Sequence, residues 1–315
     1  MGYPSSKNVS VSIAVLLFLS IAGLPIAKIN AENPAFEARF SVSGMSQSRI
    51  SYETELTLLL LQKTVDEFGP YTYKKVLLEA NFNRGRREVA SGTHVNMFAN
   101  PLPVQKFASD RELQIVPIPI MKGLLGYRAL VAPQQHVQQL SKIKTYSELQ
   151  AYQAGQVTGW VDVRIYRDNQ LPVTTGPTFV KLFDMLSHGR FNYLPLGVSE
   201  VEKTLAKKGR TPEQVGVVPG VVLYYSFPVY FQVSKKYPLL ANRLRAGLEK
   251  TYVDGSLDAL FNKHFSDSVK RLGDQNLRVF YLANITIPKP LQSYPPILVK
   301  SKNIILSPIL EQDTI

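Results

Sequence analysis

Two kinds of apolar spacing alternate along this chain, and that alternation limits its fold more than any single motif does. Ala38 to Val42 repeats with a period of two and predicts a strand, which runs into a loop carrying Gly44, Ser46 and Ser48. Leu56, Leu59, Leu60 and Val65 then recur at helical spacing. Ser51 is positioned to cap that helix, with Glu53 and Glu55 in the first turn where the helix dipole favours acids. Gly69-Pro70 stops it. Tyr73 to Leu78, His94 to Phe98, Leu113 to Ile120 and Gly126 to Ala132 predict further strands, with a short helix over Arg86 to Ala90.

The same rhythm continues. Helices are expected over Tyr146 to Gln153, Val161 to Arg167 and Thr178 to His188, the last closed by Gly189. Strands are expected over Gln156 to Trp160, Leu171 to Thr174 and Phe191 to Leu196. Ser199 and Glu202 have capping-box spacing and open a helix ending at Gly209. Val217 to Tyr225 and Val229 to Val233 flank Ser226-Phe227-Pro228 and predict strand, turn, strand. Leu240, Leu244, Leu248 and Tyr252 define one late helix, and a second, capped by Ser256, buries Leu257, Leu260, Phe261 and Phe265. Val279 to Leu282 predicts a last strand before a Pro-rich tail with little regular structure. Strands alternating with helices predict an α/β fold of mixed or parallel sheets covered by helices.

The first thirty residues differ from the rest. Lys7 is the sole charge before an uncharged run from Asn8 to Ala27, which predicts a cleavable export signal with the cut after Ala31. The alternative is an uncleaved membrane anchor, since the run is about long enough to span a bilayer. Pro25, Gly23 and several serines favour cleavage. The sequence has no cysteine, which excludes disulfides, Fe–S clusters, thiolate zinc sites and lipidation at an N-terminal Cys. An exported chain of this kind suits a bacterial periplasm, as a soluble monomer. The formal charge is +12, and loss of Lys7 and Lys28 with the signal leaves 34 Lys and Arg against 24 Asp and Glu. The basic residues are dispersed in short groups, so a solvated basic surface is expected rather than nucleic-acid binding.

Catalytic signatures are missing. There is no Gly-x-Ser-x-Gly elbow, no thiol, and no Walker or dinucleotide fingerprint. His94, His136, His188 and His264 lie far apart with no partner at metal-ligand spacing. The residues therefore predict a non-enzymatic protein with no metal site and no cofactor.

The order of Ser91 to Asn96, Gly126-Tyr127-Arg128, Tyr146-Ser147-Glu148-Leu149, Leu182 to Leu186, Gly189 to Tyr193 and Tyr252 to Phe261 resembles the type II periplasmic solute-binding proteins of family 3, the amino-acid-receptor group, in a proteobacterial subgroup. The resemblance covers roughly Arg39 to Phe265. It implies a two-lobed periplasmic-binding-protein-like II clamshell with two hinge crossings. Its segments are 1–31 as signal peptide, 35–125 plus 227–268 as lobe one, 126–226 as lobe two and 269–315 as a C-terminal extension. The implied function is capture of a small polar ligand, amino-acid-like or an organic acid, for delivery to a membrane transporter of the ABC type. The alternative is a sensory or adaptor protein presenting the liganded clamshell to a membrane partner.

Two departures bear on the ligand. The family's carboxylate-clamping Arg corresponds here to the stretch Asn100 to Lys106, where Lys106 offers a point charge without the bidentate fork. The family's amine-binding Asp falls where this chain has Asn192 and Gly197, and Glu200 is the first acid. Candidate ligand groups are Ser46 in the loop Gly44 to Gln47, Tyr52 and Lys106 in lobe one, and Thr158, Gly159, Trp160 and Asp162 in lobe two, where free helix N–H groups suit an anion. Trp160, the single Trp, is either a stacking platform or a packing residue at a lobe edge. Arg86 either faces the cleft to bind a carboxylate or is solvated. Thr175 either donates to ligand or caps a helix.

Overall fold

Burial of one face per strand and one stripe per helix sorts the chain into two sheets, each with its own helices. The computed structural model describes residues 36–42, 45–78, 82–102, 108–207, 209, 211, 213–287 and 303–312. In chain order the elements are β1 (Phe36–Ser41), α1 (Gln47–Lys63), α2 (Val65–Phe68), β2 (Tyr71–Val76), α3 (Phe82–Ser91), β3 (Met97–Pro101), β4 (Leu113–Ile115) and β5 (Tyr127–Pro133). Then come α4 (Gln134–Leu140), α5 (Tyr146–Gln150), β6 (Ala154–Val157), α6 (Val161–Asp168), β7 (Val173–Gly176), α7 (Phe179–Ser187), β8 (Leu194–Gly197), α8 (Val201–Lys207) and β9 (Val215–Tyr225). The chain ends with β10 (Val229–Ser234), α9 (Pro238–Val253), α10 (Ser256–Leu272), β11 (Arg278–Leu282), β12 (Asn303–Leu306) and α11 (Pro308–Gln312).

Among the described residues the first lobe is a five-stranded sheet in the order β2-β1-β3-β10-β4. β1 is parallel to β2 and β3, while β10 returns antiparallel between β3 and β4. On α1, Tyr52, Leu56, Leu60 and Leu61 are buried and form one core with Leu244 and Leu248 of α9 and Phe261 and Phe265 of α10. The helix starts at Gln47, because Ser46 is extended and its hydroxyl accepts the Arg49 N–H at 3.4 Å. Ser51 therefore lies inside α1 rather than capping it. The polar turn Gln47 to Arg49 shows no apolar period, so periodicity alone places the start too late.

The second lobe is a sheet in the order β12-β11-β9-β5-β8, joined by the small parallel pair β6-β7. β5 is antiparallel to β8 and β9, and β11 is parallel to β9 and β12. This is a two-lobed α/β fold. It departs from the sequence expectation at the C-terminus, because β11 and β12 belong to the second sheet. The chain thus passes between lobes a third time, from α10 to β11, in addition to the two expected crossings. The physical reason is the free edge of β9: an apolar strand such as Val279 to Leu282 satisfies its backbone groups there. The tail holds β12 and α11 where little regular structure was expected. At α8, the Glu202 carboxylate meets Arg271 instead of turning back to close a capping box.

No helix among the described residues is long and apolar enough to cross a membrane. The expected signal peptide falls outside the described residues.

Candidate ligand-binding cleft

The first passage between lobes runs through 116–126 and the second through Ser226-Phe227-Pro228. They lie side by side, with the Ile120 N–H donating to the Val229 carbonyl at 2.9 Å. At Gly126 a Cβ would sit 2.2 Å from the Tyr225 carbonyl oxygen, so only glycine permits this approach.

Immediately beyond these passages, three elements bring polar side chains together at the end of the second sheet that faces lobe one. Arg128 comes from the start of β5, Tyr225 from the end of β9 and Asp162 from the first turn of α6. The Arg128 guanidinium donates through Nε to the Tyr225 hydroxyl at 2.7 Å and through Nη2 to Asp162 Oδ1 at 3.0 Å. The Tyr225 hydroxyl donates to the same Asp162 oxygen. The guanidinium also lies 5.3 Å from the ring centroids of both Tyr225 and Phe227. Burial works against the Arg128 charge, but the Tyr225 and Asp162 oxygens outweigh it and hold its pKa above the ordinary value. Burial likewise pushes the Tyr225 phenol well above its usual range, so it remains a donor. Arg128 and Asp162 are buried, with 10% and 9% of their side-chain surface exposed.

Beside this cluster the loop after β6 leads into α6. Gly159 has φ +85°, a conformation that an L side chain rarely adopts, and it turns the chain at this point. Thr158 is tied to the carbonyl of Gly176, the last residue of β7, through its N–H at 2.9 Å and its hydroxyl at 3.1 Å. Trp160 is 41% exposed and stacks on Phe179 with centroids 6.0 Å apart. The starts of α6 and α7 therefore lie together at the carboxyl ends of two parallel strands, the place where open α/β sheets offer backbone N–H groups to ligands.

Lobe one reaches the second lobe through α8. Lys203 Nζ donates to the Ser48 hydroxyl of α1 at 3.2 Å, and Glu202 pairs with Arg271 of α10.

The expected site residues fall into separate places. Thr158, Gly159, Trp160 and Asp162 come together. Thr175 lies on β7 opposite Gln156, one residue before Gly176. Ser46 is occupied in capping α1. Tyr52 is fully buried, its hydroxyl donating to the Ile120 carbonyl at 2.6 Å, with its ring packed edge-on to Phe261 and Phe265. Arg86 is 3% exposed, pairs with Asp110 and Gln232, and lies over the Phe98 ring within the first lobe. It is therefore neither solvated nor open to the cleft. Lys106 lies outside the described residues. Sequence reasoning missed Arg128, Tyr225 and Phe227. The available signal was an arginine inside the apolar run Gly126 to Ala132, where a charge needs a buried partner. No cluster of potential metal ligands occurs among the described residues.

Solved structures similar to this chain include one from a study of glutathione import by GshT and the cystine ABC importer TcyBC of Streptococcus mutans. It is 14% identical, covers 73% of this chain and 95% of its own, and has a TM-score of 0.49. A periplasmic His/Glu/Gln/Arg/opine family-binding protein from Silicibacter pomeroyi in complex with lysine is 12% identical over 72% of this chain and 96% of its own, with a TM-score of 0.49. A mutant of ArgBP from T. maritima is 14% identical over 73% of this chain and 95% of its own, with a TM-score of 0.47. No family model and no curated protein matches the chain. The class defined by its own strand order and passages is a two-lobed α/β protein.

Proposed function

We propose that this protein is a periplasmic solute-binding protein that captures a small polar ligand between its lobes and delivers it to a membrane transporter. The observation that carries this reading is the placement of the Arg128, Asp162 and Tyr225 cluster beside the Thr158 to Trp160 loop, next to both crossings. A ligand seated there meets donors, a carboxylate and an exposed indole from lobe two, while Ser48 of α1 in lobe one meets Lys203 of α8. Such a site binds without bond making, and closure adds to affinity by as much as lobe one contributes contacts in the closed state. A polar molecule carrying both an acidic and a basic group matches the paired charges of Arg128 and Asp162.

The test is a thermal-shift screen of the mature protein, taken from Glu32, against amino acids, polyamines, organic acids and short peptides. Any compound that binds only the folded state raises the midpoint by mass action. A saturable rise with one of these classes supports the proposal. Flat melting curves across all four classes, with folded protein, contradict it.

A further inference from the structure

The third passage ends in a segment that touches both lobes. β11 runs parallel to β9, toward lobe one, and is fixed at its base by Arg278, which donates to the carbonyls of Gly220, Ile143 and Ser141 at 3.1, 2.6 and 2.6 Å. At its upper end the Ala283 N–H donates to Asn169 Oδ1 at 2.8 Å, and Asn169 Nδ2 donates back to the Ala283 carbonyl at 2.8 Å. Asn169 is fully buried and directly follows α6, the helix that carries Asp162 in its first turn.

From there the chain turns onto the crossings. Asn284 Nδ2 donates to the Ser226 carbonyl at 2.8 Å, and its Oδ1 accepts from the Thr286 N–H and hydroxyl at 3.1 and 2.6 Å. Ile287 is buried, while Ile285 is 61% exposed. Asn284, Thr286 and Ile287 face Pro101 and Leu102 at the end of β3, and Phe227 of the second crossing. The space left between them is about 10 Å³, at the lower limit for one water.

We propose that residues 283–287 are a latch between the lobes. Asn284 and Ile287 hold the end of the second sheet against the second crossing and the end of β3, and lobe opening requires their release. The segment is anchored in lobe two through the paired Asn169 hydrogen bonds, meets the second crossing through the Asn284 hydrogen bond to Ser226, and shares a small space with Pro101 and Leu102 of lobe one. Because α6 joins Asp162 to Asn169 in eight residues, a displacement at the cleft is passed to the latch as a rigid-body movement of one short helix.

The chain has no cysteine, so K181C on α7 and R245C on α9 place one unique spin label on each lobe, at positions 64% and 56% exposed. Double electron–electron resonance on the ligand-free, full mature protein then reads the distance between lobes. N284A removes the hydrogen bond to Ser226 at a position that leaves no core cavity, and it is expected to add a longer-distance population. I287A is expected to enlarge that population, and I285S, at the neighbouring exposed position, to leave the parent distribution unchanged. A parent-like distribution in N284A overturns the latch, and so does an equal shift in I285S. Since no ligand is used, the outcome is independent of whether the cleft binds one.

Discussion

Arg128 and Asp162 meet at 3.0 Å in the second lobe across 34 residues of sequence, with the Tyr225 hydroxyl bonded to both. Removing two charges from water costs several kcal/mol each, so such a pair persists when further hydrogen bonds help to hold it, as Tyr225 does here at Arg128 Nε and Asp162 Oδ1. Asp162→Ala leaves a buried guanidinium without its carboxylate and is expected to cost about 3–5 kcal/mol in urea unfolding. The double variant R128M/D162L, which removes both charges, is expected to lose less than D162A alone. A loss below about 1 kcal/mol in D162A, the range of an exposed pair, would show that the cluster is solvated.

Trp160 reports on the cleft from an exposed position. Its emission is expected to change when a compound found by thermal shift binds. Trp160→Ala is expected to weaken that binding by about 1–3 kcal/mol, the scale of an aromatic anchor, with an unchanged melting midpoint in the absence of ligand. Equal affinity in the variant would make the indole only a packing partner of Phe179.

Much of this arrangement is legible in the sequence and some is not, for physical reasons. The alternation of spacings marks most of the strands and helices, because each buries one face. Gly159 and the turn into α6 are visible from composition and order. Tyr52 and Arg86 are not: a polar tip on a long side chain looks the same in sequence whether it meets a ligand or a buried carbonyl or carboxylate. Their partners, Ile120, Asp110 and Gln232, are distant in the chain. β12 is also hidden, since four residues at a sheet edge carry too little pattern to stand out from a Pro-rich tail.

Glu53 gives a prediction in pH. It is fully buried on α1, where burial raises its pKa and the hydrogen-bonded Arg49 only partly offsets the rise. A carboxylate with a raised folded pKa binds its proton more tightly in the folded state, so its contribution to stability is present below the unfolded value and declines as pH rises through the folded one. The difference in stability between E53Q and the parent is therefore expected to move in favour of E53Q as pH rises above about 4.3, the ordinary Glu value. Unfolding curves of both proteins at a series of pH values check this. A difference that is constant with pH would mean that Glu53 titrates alike in the folded and unfolded states.

A ligand held between two lobes that close on it changes the shape of the protein in solution, which small-angle X-ray scattering reads. The compound with the largest thermal shift is added at saturation, with occupancy established by calorimetry on the same sample. The radius of gyration is expected to fall relative to the free protein, because closure brings the lobes together, and D162A is expected to lose both the affinity and the contraction. Superimposable scattering curves for the free and fully occupied protein would contradict ligand-driven closure.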